Sequence, residues 1–415
     1  MARELAFVFI NPYTIAKSRT GGVIARYISR TDLSLVAARM MGPPAELVQR
    51  YADKIRRADT GNPETNALIA DYVLRQYMPQ EKTGKSRRVM VLLFEGEDAV
   101  AKIWSVTGSA TQRPGGGEAI SGETIRGTYG DYIVDADGAV RYFEPAVLVG
   151  PSGQRAGRTL RLWTEYSESH GGVVASAIDV PTGDNVQRTL VILKPDNFRY
   201  PSLRAGNIID ILSISGLRIV GVKKFSMTVA QAEAFYWPVL ASLDAKFQGF
   251  GPKQIADALT QHLGFNVPQE LTGDLALRLG PLYAKAQFDG IVEFMTGYRP
   301  TQCSDADKHM LGRENCLALV YEGADAVAKI RGILGATDPN KARPGSVRRE
   351  FGSNIMVNAA HASDSVENAE RELRIIKVEE DTLKSWVDKY YAPDGDPLPG
   401  DVVQAGECGG KRVGQ

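Results

Sequence analysis

Histidine and cysteine are scarce in this chain of 415 residues, with four of the first and three of the second. Cys303, Cys316 and Cys408 form no CxxC pair. An odd, unpatterned set excludes a disulfide framework and fits a reducing compartment. Net charge is also missing, because 49 Lys+Arg balance 49 Asp+Glu. That balance argues against a broad nucleic-acid surface, and the one notable basic run, KTGKSRR from Lys82 to Arg88, reads as a solvated loop. No apolar run approaches the ~18 residues of a membrane span. The opening MARELAFVFINP lacks the cationic, apolar and small-residue segments of a signal peptide. The expectation is a cytoplasmic protein that binds neither membrane nor nucleic acid. Its 43% hydrophobic and 24% charged content suits a globular chain with room for two or three domains.

What the chain does have is a repeat. EGEDAVAKIW starts at Glu95 and EGADAVAKIR at Glu322, 227 residues later. AFVFINPYTI from Ala6 resembles LVILKPDNFR from Leu190, and GGVIARYISRTDLSLVAARM from Gly21 resembles AGNIIDILSISGLRIVGVKK from Ala205. The early offsets are 183 and 184, so the second copy carries about 43 extra residues, at about 238–282. Units of this length are too long for solenoid repeats. They read as two domains, 1–166 and 187–391, with a linker at 167–186 and a flexible tail at 392–415.

Each copy opens on an apolar run of strand length, 7–10 and 190–193. In the second copy Ile208, Ile211 and Leu212 have helical spacing, and Gly216 suits the helix end. Strand-like runs follow at 217–222, 317–321 and 354–357. Asp364 and Glu367 have the form of a capping box before a helix carrying Val366, Ala369 and Leu373 on one face. Ile255, Leu259 and Leu263 give the insertion a helical spacing. The order predicts an α+β fold built from two ferredoxin-like βαββαβ domains in tandem.

The second copy also carries a constellation: KPD at Lys194, then Arg331, Thr337, RPGSVRREF around Arg348, and NAAHASDSVENAERE from Asn358 to Glu372. Arg331 precedes His361 by 30 residues, Arg348 precedes it by 13, and Glu372 follows it by 11. In order and spacing this stretch, about 187–377, resembles the nucleoside diphosphate kinase family. The resemblance implies transfer of a γ-phosphoryl group from a nucleoside triphosphate to a nucleoside diphosphate through a phosphohistidine. It implies that His361 is the nucleophile, steadied by Glu372. Lys194, Arg331 and Arg348 would hold phosphate, Thr337 would donate a hydroxyl, and Asn358 would contact sugar and phosphate. Mg²⁺ would arrive on the nucleotide, with few or no protein ligands. His170, His262 and His309 read as ordinary surface or core residues, and SDS after His361 as a helix entrance.

The second copy departs from the family where the base should stack. Strict alignment puts Gln287 there, so Phe288 beside it is the expected platform. Tyr236 and Tyr283 both stand as the family's tyrosine near the nucleophile. The first copy departs much further: Asn11 stands for Lys194, Trp104 for Arg331, Leu148 for His361 and Thr159 for Glu372. Only Arg126 matches Arg348. The first copy is therefore expected to lack catalysis and to support assembly, as an internal pseudo-dimer partner or within a homo-oligomer. Two other readings share these residues: a nucleotide-binding regulatory or scaffold protein with a closed site, and a His361-dependent protein phosphotransferase.

Overall fold

A computed structural model describes residues 3–59, 62–111, 122–175, 177–178, 183 and 185–398. Strand β1 (Arg3–Ile10) is apolar and buried over its last six residues. Pro12 cannot donate to a ladder and opens α1 (Pro12–Ala16). Then come α2 (Thr20–Arg30), β2 (Ser34–Met41), α3 (Ala45–Arg56), α4 (Pro63–Tyr77), β3 (Val89–Glu97), α5 (Ala99–Thr107) and α6 (Ile125–Tyr129). A hairpin of β4 (Asp131–Val134) and β5 (Val140–Glu144) precedes β6 (Val147–Val149) and α7 (Gly153–Thr164). Short α8 (Ser167–His170) and β7 (Gly171–Gly172) lead to β8 (Val186–Leu193), α9 (Arg204–Ser213), β9 (Arg218–Phe225) and α10 (Val229–Tyr236). Two long helices, α11 (Val239–Leu263) and α12 (Gln269–Thr296), occupy the insertion and the stretch after it. The chain continues through β10 (Cys316–Ala324), α13 (Ala326–Leu334), α14 (Val347–Phe351), β11 (Ala360–Ala362), α15 (Val366–Ile376) and α16 (Leu383–Tyr390).

One antiparallel sheet orders the strands β11-β8-β10-β9-β2-β3-β1-β6, with β7 beside β2. The strands between 186 and 362 thus lie in the order fourth, first, third, second, which is the ferredoxin-like arrangement. Those between 3 and 149 lie in the same relative order. Helices α13 and α15 pack on β8, and α5 and α7 on β1. Central strands are buried nearly end to end, so they read as apolar runs rather than alternations. The repeated decapeptide makes the same turn twice: Asp98 and Asp325 both sit at positive φ, +51° and +55°, a conformation aspartate tolerates. Its glutamates accept from first-strand arginines, Arg3 to Glu95 and Arg188 to Glu322, each at 2.8 Å.

Four expectations shift. The last strand is not 354–357, which forms a turn closed by Ser353 N–H to Val357 O at 2.7 Å; it is β11, and it contains His361 itself. The cap of α15 is Ser365, whose hydroxyl accepts from Asn368 N–H, while Asp364 accepts from the Asn368 side chain. Part of the expected linker is sheet: β7 pairs with β2, and Val174 N–H donates to Val220 O. The start of the expected tail is anchored on the first half, because Arg161 donates to Ala392 O and Gln154 to the Asp396 carboxylate, each at 2.8 Å, and α16 just before it packs on α7, β1 and β2. Cys408 and residues 399–415 lie outside the described residues, as do 176, 179–182 and 184 of the linker. Among the described residues no helix is long and apolar enough to cross a membrane.

Strands β2 and β9 meet at Arg39 and Lys223, both buried. Acceptors from 376–380, with the Ser167 carbonyl, offset the repulsion between the two cations. Arg39 donates to Ser167 O, Glu380 O and Glu379 O, and Lys223 to Ile376 O, Lys377 O and the Glu380 carboxylate. Elsewhere α2 crosses α9 at glycines. A Cβ on Gly206 would strike the Gly21 carbonyl and Ala25, and one on Gly21 would strike Asp210. Gly206→Val should therefore force the helices apart and cost roughly 1–3 kcal/mol, read as a lowered midpoint in denaturant unfolding. An unchanged midpoint would show that this crossing is loose.

Candidate active site

The site is built where β11 pairs with β8. That pairing sets His361 opposite Ile192 and Ala360 opposite Leu193, so the end of β8 delivers Lys194 beside the histidine strand. Lys194 N–H donates to Ala359 O at 2.9 Å, and the Asn197 side chain donates to the same carbonyl. Ala359 sits at φ +68°. A non-glycine residue there carries a strain of about 1 kcal/mol or more, which the surrounding bonds hold.

Lys194 is buried, and its ammonium donates to Asn358 Oδ1 at 2.7 Å and Met356 O at 3.2 Å. Burial, and then the nearby Arg348 charge, push it down to about 8. Arg348 donates to Gly335 O at 2.9 Å and to Ala360 O; burial and Arg331 lower it to about 10. Asn358 uses its amide N–H groups on Thr337 O and Ile355 O. Arg331, Arg343, Arg348 and Thr337 line a cavity of about 500 Å³ that reaches Ala362, next to His361. Arginines at a cavity of this size suit an anionic ligand. Among the described residues no cluster of three or more His, Cys, Asp or Glu could hold a metal.

His361 is part-buried, and its Nε2 lies 2.9 Å from Glu372 Oε2. The same carboxylate oxygen accepts from Ser363 Oγ at 2.6 Å, and Arg371 lies 3.7 Å from its other oxygen. With Nε2 engaged, Nδ1 is the ring nitrogen left for other chemistry. The Phe235 ring meets the imidazole edge-on at 4.9 Å between centroids, and Tyr236 lies at 6.2 Å. Tyr236 is thus the tyrosine beside the histidine, and its buried hydroxyl has no hydrogen-bond partner among the described residues. Tyr283 stacks on Phe247 instead.

The structure brings His361, Glu372, Lys194, Arg331, Arg348, Thr337 and Asn358 to one place. Phe288 does not present itself there. It is 2% exposed, packed in the core with Lys285 over one face, so no face is open to a stacked base; Gln287 beside it is half-buried. Three further residues join the site that sequence patterns do not single out. Arg343 lies inside RPGSVRREF, where it looks like one more surface arginine. Ser363 lies in SDS, whose pattern marks only a helix entrance, and Phe235 carries no signal in the sequence.

The corresponding positions of the first half are filled rather than open. Leu148 pairs with Phe9 where His361 pairs with Ile192. Asn11 donates to Glu144 and accepts from the Tyr77 hydroxyl, and Tyr72 donates to Glu144 at 2.7 and 2.8 Å. Burial raises the Glu144 carboxyl above its usual range. Arg126 donates to Gly108 O and Val147 O, the same two places Arg348 uses in its half. Trp104 lies 6.0 Å from that guanidinium, where Arg331 stands beside Arg348.

The model of the nucleoside diphosphate kinase family matches residues 284–381. A nucleoside diphosphate kinase of Helicobacter pylori is 30% identical over 187 residues, 45% of this chain and 92% of that protein. One of a Nitratiruptor species is 28% identical over 198 residues, 48% of this chain and 100% of that protein. Among solved structures, Aquifex aeolicus nucleoside diphosphate kinase is 28% identical, covers 46% of this chain and 94% of its own, and has a TM-score of 0.29. An NDP kinase from Pyrobaculum aerophilum is 26% identical with the same coverages and a TM-score of 0.31.

Glu372→Ala would leave Ser363 Oγ and His361 Nε2 without their acceptor. Unpaired buried groups cost about 1–3 kcal/mol each, so thermal unfolding should shift down measurably. Ser363→Ala, which removes a donor but leaves Glu372 paired to His361, should shift it by less.

Proposed function

This chain belongs to the nucleoside diphosphate kinase family, and we propose that its second half transfers the γ-phosphoryl group between nucleotides through His361. The carrying observation is the engaged Nε2 of His361, 2.9 Å from Glu372, beside a cavity lined with arginines. Glu372 holds the proton on Nε2 and leaves the lone pair on Nδ1. That nitrogen attacks the γ-phosphorus of a nucleoside triphosphate; the bond to the β–γ bridging oxygen breaks, and the diphosphate leaves with its electron pair. A second diphosphate then attacks the phosphohistidine by the reverse step, and Nδ1 recovers its lone pair. Splitting one transfer into two lowers each barrier. Arg331, Arg348, Arg343 and Lys194 offset the charge spread over the equatorial oxygens. Mg²⁺ enters as part of the nucleotide, since the lining is cationic and suits phosphate rather than a bare cation.

Asn358 and Met356 hold the Lys194 ammonium until phosphate replaces them, and Asn358 and the Thr337 hydroxyl are then placed to donate to sugar and phosphate. We read the first half as a diverged, catalytically silent duplicate that completes the sheet. The shared strand order and the matching Leu148 and His361 pairings support that reading, as does the Asn11–Glu144–Tyr72–Tyr77 plug.

Two-step labelling tests the function. With ATP labelled at the γ position and Mg²⁺, acid-labile phosphate should form on His361 and leave as GTP when GDP is added; His361→Ala should take no label. Label that stays on His361 would point to a protein acceptor, and a folded protein that takes no label would refute the proposal.

Lys194 gives a pH signature. Its cation binds phosphate and is lost above about 8, so nucleotide KM should rise, by roughly tenfold per pH unit beyond that point. Its effect on folding runs the other way. Between about 8 and the ordinary lysine value the unfolded chain binds the extra proton, so stability gains there as pH rises. Lys194→Arg should flatten the KM profile; a profile that stays steep would assign it to another group.

A further inference from the structure

The helical hairpin of α11 and α12 leaves several large apolar side chains exposed, Phe250, Leu263, Phe265 and Leu277 among them. Of the 25 residues of α11 only Phe247 and Gly251 are buried. Helix α12 turns Thr272, Ala276, Gly280 and Ala284 inward, every fourth residue. These small side chains let α11 approach closely, and a Cβ on Gly280 would collide with Asp244. The hairpin is therefore a well-fitted pair whose outer surface remains open.

That outer surface is not polar. Leu271, Leu275, Leu279 and Leu282 recur at intervals of four, four and three residues, which places them on one stripe of α12. Leu271, Leu279 and Leu282 are 51%, 40% and 67% exposed, and Leu275 is half-buried. A contiguous apolar stripe of this kind is uncommon on an unpartnered surface. Charges run alongside it in a polarised order: Glu270 and Asp274 in the early turns, Arg278 and Lys285 in the later ones.

We propose that this hairpin is a self-association surface, and that two copies of this chain pair through α12 in antiparallel, closing a four-helix bundle about a twofold axis near residue 277. Antiparallel pairing sets the acidic turns of one copy against the basic turns of the other; parallel pairing would set like against like. A leucine stripe of this period is self-complementary, as a twofold interface requires. The hairpin face, about 37 Å long at 1.5 Å per residue and about 20 Å across two helices, offers roughly 700 Å² per copy, close to the ~800 Å² per partner of a stable interface. The hairpin carries four acidic and four basic residues between 239 and 286, so two copies meet without net repulsion. This surface lies in the insertion and does not depend on the catalytic reading.

Sedimentation of the full chain decides it. At low micromolar concentration the mass should be twice that of one chain. Leu275→Asp with Leu282→Asp should sediment as single chains with the helix content unchanged by circular dichroism. Asp274→Arg should weaken the dimer at least tenfold by apposing two cations, and adding Arg278→Asp to the same chain should restore it. That rescue reports charge pairing between the two copies at 274 and 278, and it decides self-association through this face even if the leucine variant fails to fold. A single-chain mass at ~100 μM, or a larger mass that neither the leucine pair nor the charge swap alters, overturns the proposal.

Discussion

The pairing of three-residue β11 with β8 is the constraint on which the site depends. Strand register admits no half-steps, because a slip of one residue turns every side chain to the opposite face. With Ala360 opposite Leu193, His361 meets Glu372, and the end of β8 places Lys194 against Asn358, whose amide reaches Thr337 at the cavity wall. The strained Ala359 sharpens the entry, and Asn358 just before it becomes the acceptor that holds the lysine. Histidine, orienting carboxylate and cavity cations therefore come from distant segments, yet one short ladder fixes their separation.

Burial of cations is the site's main electrostatic cost. Burial lowers the proton affinity of both Lys194 and Arg348, with Arg348 adding to the effect on Lys194 and Arg331 to that on Arg348, and both are held by neutral acceptors rather than carboxylates. Carbonyl and amide oxygens satisfy the donors without neutralising the charge, so the positive field remains available to an incoming anion. The first half shows the same scaffold without the field. Arg126 keeps its two carbonyl acceptors, which gives the guanidinium a structural reason to persist. The second cation is gone: a tryptophan ring now stands near the guanidinium, and a ring face attracts a cation where Arg331 would repel it. Glu144 adds a buried carboxylate beside Asn11, the counterpart of Lys194.

The seam between the halves follows the same logic on a larger scale. Arg39 and Lys223 are brought together by the sheet and would repel each other if nothing intervened. Carbonyls and carboxylates of 376–381 intervene, and the chain then passes on into α16, which packs on the first half. A segment that belongs to the second half in sequence thus belongs to both in space.

Much of this was legible in the sequence because it rests on local or short-spaced signals. The repeated decapeptide marked two equivalent turns, the apolar runs marked the central strands, and the spacing of Arg331, Arg348, His361 and Glu372 marked residues that do converge. What escaped lies in contacts between segments far apart in sequence. Ala-His-Ala has no strand pattern, so only its partner β8 makes it a strand and moves the final strand from 354–357 to 360–362. Tyr236 and Tyr283 are equal in sequence, and the insertion's fold separates them, one against His361 and one against Phe247. Phe288 has the right ring, but the turn of α12 points it into the core. Sequence alone determined which groups could do the chemistry, since residue type and spacing carry that information. Tertiary structure decided which groups face each other, since register, helix rotation and burial are set only when the whole chain packs.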